Sequence, residues 1–378
     1  MIRPLLAKLS NRLHRIDEIG DRQAVLLTEL AAVRAELAAL RAEHAQSQAQ
    51  LTAKQEADTT ALRTALSALS PQLELLLQAE LDSRGHVLAA LEPLRLAQGR
   101  IESRQTQTIP PENWDAMGFG VTSQFGEDGF LQHLIRQVPG APRSFVEFGV
   151  EDYRQANTRF LLEKDRWRGL VLDGSEENIA ALCGGDAAYW MRDLTAVAAF
   201  ITRNNINALL TEHGFTGELG LLSIDIDGND LWVWQAIEAV TPQLVSVEYN
   251  FRFGPDAAVA VPYSPTFDKN TAHPSRLYYG ASLRALTGLA DEQGYELVGC
   301  SDGGVNAFFV RRDVRPPTLP RRTVAEAFRA GQHAEWHDPE QGKTIAQVLR
   351  KSYAEQNALL LSLPLEHFPH WEAPQRSL

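Results

Sequence analysis

Residues 221–230 read LLSIDIDGND, an apolar run that ends in three carboxylates. The apolar part predicts a buried β-strand. A buried strand does not explain Asp225 and Asp227, because carboxylates are rarely buried without a partner. Open α/β sheets bind their ligands at the carboxyl ends of parallel strands. We therefore expect these acids to meet a metal ion, a cofactor amine or a sugar hydroxyl.

Short apolar and β-branched runs alternate with helical stretches over residues 123–312. Such alternation indicates βαβ units and a parallel sheet. The last two strands read as an antiparallel hairpin around Asp302, which is typical of the Rossmann-like class I methyltransferase fold. The predicted strands are 144–149, 169–173, 189–192, 219–226, 244–249, 295–300 and 306–310, and the predicted helices are 130–137, 157–164, 175–182, 196–212, 232–240 and 280–293.

Residues 1–106 are rich in Ala, Leu, Gln, Glu and Arg, which favour helices. Apolar residues recur at alternating steps of three and four over 30–40 and again over 62–76, as in the seam of a coiled coil. The seam is discontinuous between these runs, so we predict several helices rather than one. Further helix breaks are predicted at Gly20, Pro71 and Pro93.

These patterns divide the chain into four parts. Residues 1–106 form a helical segment for oligomerisation or docking, or else a helical hairpin packed on the same chain. A linker with Pro110 and Pro111 covers 107–122, and the Rossmann-like domain covers 123–312. Residues 313–378 are predicted to be peripheral, with one amphipathic helix around 343–361.

Composition excludes several classes of protein. The net charge of −12 lies in the part after residue 106, which argues against binding nucleic acid through phosphate contacts. The two cysteines, Cys183 and Cys300, build neither a disulfide framework nor a zinc pattern. No stretch reads as a signal peptide or a membrane span, so a cytoplasmic protein is expected.

Two predicted strand ends carry residues suited to a nucleotide-type cofactor. Glu147 and Gly149 end the first strand, and a glycine there lets the backbone approach a cofactor. Asp173 ends the second strand, where a carboxylate can accept two ribose hydroxyls, or it could cap the next helix. Asp193, placed just past the third strand, could meet the base edge or cap a helix.

The acids after strand four and the end of strand five form the candidate catalytic centre. Asp225 and Asp227 point to the same side of an extended strand, and Glu248 ends the next one. Together they suit a general base with its partner, since like charges raise one pKa, or a divalent cation held by Asp225 and Asp227. Asp230 could contact substrate, or Asp227 and Asp230 could cap the following helix.

Further polar residues are candidates at the rim of the same pocket. Asn250 follows Glu248 and could bind substrate. His273 lies in a long polar loop, 251–277, that could form a lid over the substrate. Gln124 and Glu127 precede the first strand and could fold over the cofactor, or cap the helix that follows.

The chain resembles the FkbM-like branch of S-adenosylmethionine-dependent methyltransferases, in a subgroup often found in bacterial polysaccharide clusters. The resemblance covers about half the chain. It rests on the segments 123–129 (SQFGEDG), 146–152 (VEFGVED), 157–162 (NTRFLL), 223–230 (SIDIDGND), 247–250 (VEYN), 279–283 (YGASL) and 304–310 (GVNAFFV). It implies S-adenosylmethionine as cofactor and methyl transfer to an oxygen acceptor.

One loop departs from that pattern. Methyltransferases usually have further small residues after the first glycine, whereas here Glu151, Asp152 and Tyr153 follow Gly149 at short distance. These side chains add negative charge and leave less room for the methionine part of the cofactor.

Three functions remain open on these grounds. The first is a methyltransferase acting on a hydroxyl of a glycan or glycan precursor, with homo-oligomers formed through residues 1–106. The second is a metal-dependent glycosyltransferase that uses Asp225 and Asp227. The third is a non-catalytic interaction module of methyltransferase-like fold.

Overall fold

The computed structural model describes residues 3–184, 193–331 and 352–372. The chain divides into two compact units, Met1–Ala89 and Ala90–Leu378. In the described part of the chain, no helix is both long and apolar enough to cross a bilayer.

A single helix, α1, spans Arg3–Gln105. The prediction of several helices is wrong, because α1 continues through Gly20, Pro71 and Pro93. A proline removes one backbone hydrogen bond, and the strong helix formers on either side keep the helix intact. The apolar seam over 30–40 is exposed to solvent: Leu37 is 47% exposed and Leu40 is 64% exposed.

Residues 90–105 continue α1 but belong to the second unit. The buried hydroxyl of Ser103 donates to Oε1 of Gln132 at 3.0 Å. The guanidinium of Arg159 pairs with Glu92. The division between the units therefore falls inside α1, and not at the linker that the sequence predicted over 107–122.

A seven-stranded sheet forms the centre of the second unit. Its strand order is β3-β2-β1-β4-β5-β8-β7. All neighbouring pairs are parallel except those of β8, which runs antiparallel to both β5 and β7. This is the Rossmann-like methyltransferase fold, so the predicted fold class is confirmed. The strands are β1 Ser144–Phe148, β2 Arg168–Asp173, β3 Leu194–Ala198, β4 Gly217–Ile224, β5 Val240–Glu248, β7 Tyr295–Cys300 and β8 Asn306–Arg311; β6 Val259–Ala260 pairs elsewhere with β9 Glu366–His367.

The helices pack on both faces of this sheet. Alternate strand residues supply two apolar layers: Phe145 and Leu221 face a cluster with α2 and α3, while Val146 and Leu222 face a cluster with α6 and α8. The helices are α2 Glu127–Gln137, α3 Arg159–Asp165, α4 Glu176–Gly184, α5 Ile206–Glu212, α6 Asp230–Ala236, α7 Lys269–Ala272, α8 Leu283–Glu292, α9 Val324–Ala327 and α10 Tyr353–Leu361.

The third strand differs from its prediction. The strand predicted at 189–192 lies outside the described residues. The described strand, Leu194–Ala198, overlaps the start of the helix predicted over 196–212. It pairs in parallel with β2, and this pairing overrides the weak helical preference of its short sequence.

A long connection, residues 249–282, joins β5 to α8 and is here called the strap. The C-terminal segment 352–372 holds it in place, although the sequence predicted that segment to be peripheral. The hydroxyl of Tyr353 donates to the carbonyl of Phe251 at 2.8 Å, Nδ2 of Asn357 donates to the carbonyl of Arg252 at 2.9 Å, and β9 pairs with β6.

The position of the unit boundary generates a test by truncation. A chain that begins at Ala90 should keep the melting temperature of the second unit, because it retains the contacts of Glu92 and Ser103. It should also be monomeric, whereas the full chain should be oligomeric through the exposed seam of α1. Calorimetry and light scattering measure the two properties.

A chain that begins at Gln107 is the matched comparison. It lacks the Glu92 and Ser103 contacts, so Arg159 and Gln132 lose buried partners, and its melting temperature should fall by several degrees. Equal stability of the two truncated chains would contradict the boundary, and a monomeric full chain would contradict the oligomer.

Candidate functional site

A cavity of about 500 Å³ opens at the carboxyl ends of β1, β2, β4 and β5. Open α/β sheets bind ligands at this edge, and the volume is in the range of small-molecule sites. The strap supplies further wall residues. Acids from the strand ends and the loops that follow them include Glu147, Glu151, Asp173, Asp225, Asp227 and Glu248; residues from the strap include Arg252, Lys269, Arg276 and Tyr279.

Asp225, Asp227 and Glu248 converge in this cavity and are here called the carboxylate trio. One oxygen of each lies within 4.8 Å of the others. Asp225 and Asp227 follow β4, and Glu248 is the last residue of the neighbouring strand β5. The fold thus brings together the three acids that the sequence analysis assigned to catalysis.

Glu248 is the most buried member of the trio, with 6% of its surface exposed. Its Oε2 atom has no hydrogen-bond partner within the described residues. Burial, and then the charges of Asp225 and Asp227, raise the pKa of Glu248 well above its ordinary range. A protonated Glu248 can therefore donate a hydrogen bond to a ligand oxygen.

Lys269, the first residue of α7, brings a positive charge to the trio. Its Nζ lies 2.5 Å from Oδ1 of Asp227, and only 14% of the lysine side chain is exposed. The ammonium also lies 5.7 Å from the ring centroid of Tyr279. The strap thereby places a cation beside a cluster of carboxylates that would otherwise repel one another.

The turn after β4 is held by the buried carboxylate of Asp230. Its Oδ1 accepts from the backbone N–H of Ile226 at 2.8 Å, and its Oδ2 accepts from that of Gly228 at 2.9 Å. Between them Asp227 adopts φ +55, a left-handed conformation that is costly for a residue other than glycine. Burial raises the pKa of Asp230 to about 6. Asp230 does not line the cavity, and its two bonds to the turn favour a structural role over the predicted contact with substrate.

Gly149 is required by packing. A β-carbon there would collide with the carbonyl oxygen of Asp225, and the glycine has φ +71. The loop after β1 therefore lies directly against the loop after β4.

The crowding expected after Gly149 is smaller than its sequence suggests. The side chain of Tyr153 is buried, and its hydroxyl lies 2.9 Å from Oγ1 of Thr158. Asp152 pairs with Arg154 and does not line the cavity. Only Glu151 of the three faces the cavity.

Asp173 lines the cavity at the end of β2 and also organises the surrounding loops. Its Oδ2 accepts from the backbone N–H of Glu151 at 2.8 Å, and its Oδ1 accepts from that of Ser175 at 2.9 Å. The side chain of Asn178 donates to Oδ1 at 3.1 Å. The two alternatives for Asp173, a cofactor ligand or a cap, are therefore compatible.

Glu147 lines the cavity but is engaged by the loop before α3. Its Oε1 accepts from the N–H of Asn157 at 2.8 Å, and its Oε2 accepts from the N–H of Thr158 at 3.1 Å. Burial raises the pKa of Glu147 to about 7, against an ordinary 4.5.

Gln124 and Glu127 also line the cavity. Oε2 of Glu127 accepts from the N–H of Phe125 at 2.8 Å, and its Oε1 accepts from Nδ2 of Asn306 at 3.1 Å. Gln124 donates to Gln155 at 2.7 Å. These bonds tie the segment before α2 to the rim of the cavity.

Besides Asp230, three predicted site residues do not line the cavity. Asp193 precedes β3 instead of following it, and it lies 3.8 Å from Arg168 at the amino end of the sheet. The side-chain amide of Asn250 forms hydrogen bonds within the strap. Its Oδ1 accepts from the N–H of Arg252, and its Nδ2 donates to the carbonyls of Leu277 and Tyr279. His273 pairs with Ser275 at 2.8 Å in a turn of the strap.

The positively charged residues of the site were not predicted from the sequence. Arg252, Lys269 and Arg276 all come from the strap, which was recognised only as a long polar loop. No local motif marks them, because their contacts are distant in sequence: Lys269 pairs with Asp227 after β4, and Arg252 bonds to Gln356 in α10. The length of the loop was the single available signal.

The trio also bears on metal binding. Three carboxylates at this separation are ligands of the type that Mg²⁺ and Mn²⁺ prefer. Lys269 already pairs with Asp227, so a divalent ion would have to displace that ammonium. The carboxylate donors fit a divalent cation, but the ammonium of Lys269 already supplies a positive charge beside them, so the site does not require such an ion.

No family model matches the chain, and no curated protein matches it. The FkbM-like resemblance therefore stays a prediction. Among solved structures, the chain is similar to the N-terminal domain of EvdMO1 with S-adenosylhomocysteine bound, at 14% identity over 56% of this chain and 94% of that one, with a TM-score of 0.34.

It is also similar to an O-methyltransferase from Bacillus cereus in complex with S-adenosylhomocysteine. The identity is 16% over 57% of this chain and 88% of that one, with a TM-score of 0.35. A third likeness is to the O-methyltransferase TomG from Streptomyces achromogenes. The identity is 13% over 57% of this chain and 87% of that one, with a TM-score of 0.34. Likenesses this weak carry no functional inference, so function is inferred from the residues of this chain.

The raised pKa of Glu147 predicts a pH dependence of stability. The folded state holds this proton more tightly than the unfolded state, so the stabilisation is complete below pH 4.5 and is lost as the pH rises through about 7. At 1.36 kcal/mol per pKa unit, the free energy of unfolding should fall by about 3 kcal/mol between pH 5 and pH 8 from this group.

Glu147→Gln should remove that part of the slope, and urea unfolding at both pH values measures it. Glu212→Gln changes an exposed glutamate of α5 and is the control. A Glu147→Gln protein with the wild-type slope would show that Glu147 is ionised in the folded state throughout this range.

Proposed function

We propose that this protein is an S-adenosylmethionine-dependent methyltransferase that acts on a hydroxyl of a glycan or glycan precursor. One observation carries the proposal: Asp173 and the carboxylate trio line one cavity, with Gly149 between them in the sheet order. The cavity thus offers a ribose acceptor at the end of β2, two candidate proton acceptors after β4, and a carboxyl group at the end of β5.

The residues around Gly149 and Asp173 fit the cofactor. The cavity is large enough for a nucleoside-sized ligand, and Tyr153 points away from it. When bound, S-adenosylmethionine supplies an electrophilic methyl group. Asp173 retains lone pairs for ribose hydroxyls, because each carboxylate oxygen can accept more than one hydrogen bond. Glu151 lines the same cavity and would offer negative charge to the cofactor's amine and sulfonium.

The trio acts on the acceptor. Asp225 and Asp227 orient the hydroxyl and take its proton, which makes the oxygen more nucleophilic. Glu248, kept protonated by burial, donates a hydrogen bond to the same acceptor. Lys269 offsets the charge of Asp227 in the absence of an acceptor. The strap excludes water from this part of the cavity.

The first test concerns the cofactor. Asp173→Asn keeps an acceptor for one of the two loop N–H groups and removes the charge. It should weaken S-adenosylhomocysteine binding by about 2 kcal/mol, the value of a charged hydrogen bond. Titration calorimetry measures the affinity, and Asp152→Asn, in the loop after β1 but outside the cavity, should bind as wild type. Absence of binding to the wild-type protein at millimolar ligand would remove the basis of the proposal.

The second test concerns the trio. Asp227→Asn keeps the shape and loses the charge, so turnover should fall at least 100-fold while cofactor affinity stays within threefold. Candidate glycans with radiolabelled S-adenosylmethionine provide the assay. Because Lys269 supplies the cation, chelation with EDTA should leave turnover unchanged.

Other outcomes of the second test point elsewhere. Loss of turnover with EDTA, restored by Mn²⁺, would make the trio a metal site. A shift in melting temperature with a nucleotide sugar and Mn²⁺, and none with S-adenosylhomocysteine, would favour the glycosyltransferase. A response to neither would favour an interaction module.

A further inference from the structure

Among the described residues, the strap contributes every lysine and arginine that lines the cavity. They are Arg252, Lys269 and Arg276, whereas the acids come from the strand ends, the adjoining loops and the start of α2. Lys269 pairs with Asp227. Arg252 is buried, which lowers its pKa, and its Nε donates to Oε1 of Gln356 at 3.4 Å. Contacts within the protein thus account for the positions of Lys269 and Arg252 in the cavity wall.

Arg276 is not explained in this way. Its Nε is buried, and no described residue accepts a hydrogen bond from it. A buried donor without an acceptor destabilises the folded protein, so its retention needs another reason. Arg276 lines the cavity, which gives its guanidinium access to a ligand.

The backbone at Arg276 is arranged to present this side chain. Arg276 has φ +55, a left-handed conformation that disfavours every residue except glycine and, to a lesser degree, asparagine and aspartate. Its N–H donates to the carbonyl of His273 at 2.9 Å. The imidazole of His273 lies 2.8 Å from Oγ of Ser275, which accepts from the N–H of Leu277 at 3.2 Å. The strained turn is therefore fixed on both sides of an arginine where glycine would be more stable.

We propose that Arg276 binds an anionic group of the acceptor, so that the acceptor is an acidic or phosphorylated saccharide. This rests on the proposed function. A guanidinium binds carboxylate and phosphate through two parallel hydrogen bonds, and an unused N–H is suited to that fork. The acceptor then has two contacts of opposite kind: its anion meets Arg276, and its hydroxyl meets the carboxylate trio, which would repel a second negative group.

The test uses three sugars of similar size: glucose, glucuronate and glucose 1-phosphate. Calorimetry is done on the full chain saturated with S-adenosylhomocysteine, whose own affinity is measured first. At least one anionic sugar should bind tenfold more tightly than glucose. Glucuronate and glucose 1-phosphate distinguish a carboxylate from a phosphate as the recognised group.

Arg276→Gly removes the side chain and relieves the backbone, so its melting temperature should equal or exceed that of the wild type. The tenfold preference for the anionic sugar should be lost. Arg276→Lys should keep only part of it, because the ammonium lacks the fork. Arg166→Gly is the matched control, since Arg166 has φ +60 at the end of α3 but is exposed and lies outside the cavity. It should bind all ligands as wild type.

Two results would overturn the proposal. One is a wild-type protein that binds neither anionic sugar more tightly than glucose. The other is an Arg276→Gly protein with weakened S-adenosylhomocysteine binding and an unchanged sugar preference, which would assign Arg276 to the cofactor's carboxylate. Failure of the wild-type protein to bind S-adenosylhomocysteine is a separate result that rejects the proposed function itself, whereas the sugar preference of Arg276 remains measurable without that ligand.

Discussion

The candidate site depends on the buried carboxylate of Asp230. Its two oxygens accept the N–H groups of Ile226 and Gly228, which have no partner in the sheet once β4 has ended. This fixes the turn in which Asp227 takes a left-handed conformation. The same turn places the carbonyl of Asp225 directly against Gly149, so the conformation after β4 constrains the conformation after β1. The positions of the acids and of the loop after β1 are therefore set together.

The site must also balance its charge. Glu147, Asp173 and the carboxylate trio lie around one small cavity, and burial and mutual repulsion both disfavour their ionised forms. The protein meets this cost in two ways. Glu147 and Glu248 have raised pKa values and can stay protonated. Two further acids have nearby donors: Asp173 has backbone N–H groups, and Asp227 has Lys269.

The sequence was most informative where local pattern decides structure. The strands around Val146, Leu222 and Val247 were predicted correctly because alternating apolar runs are local signals. The region of β3 was not, because the chain around 194–198 forms a strand only by pairing with β2. Asp193 was consequently placed at the wrong end of that strand. Near Asp230 the residue types were informative, but their roles depend on which backbone N–H groups lie unpaired, and that is known only after folding.

The cations of the site lay beyond such reasoning for a related reason. Lys269 meets Asp227 across 42 positions of chain, and Arg252 meets Gln356 at a separation of 104 positions. Contacts of this kind follow from the path of the strap, which has no repeating pattern. The same distance explains why residues 352–372 were read as peripheral, although they hold the strap against the rest of the unit.

A cation carried by a loop differs from a bound ion in one respect: it moves with the loop. If the strap opened, Lys269 would leave Asp227, and the trio would hold its charges with less compensation. That repulsion raises the free energy of the open state, so the trio itself favours closure of the strap. An acceptor whose hydroxyl enters the trio and whose anion meets Arg276 would contact both the strand ends and the strap. It would therefore stabilise the closed form further, and binding of the acceptor would be coupled to exclusion of water from the reacting oxygen.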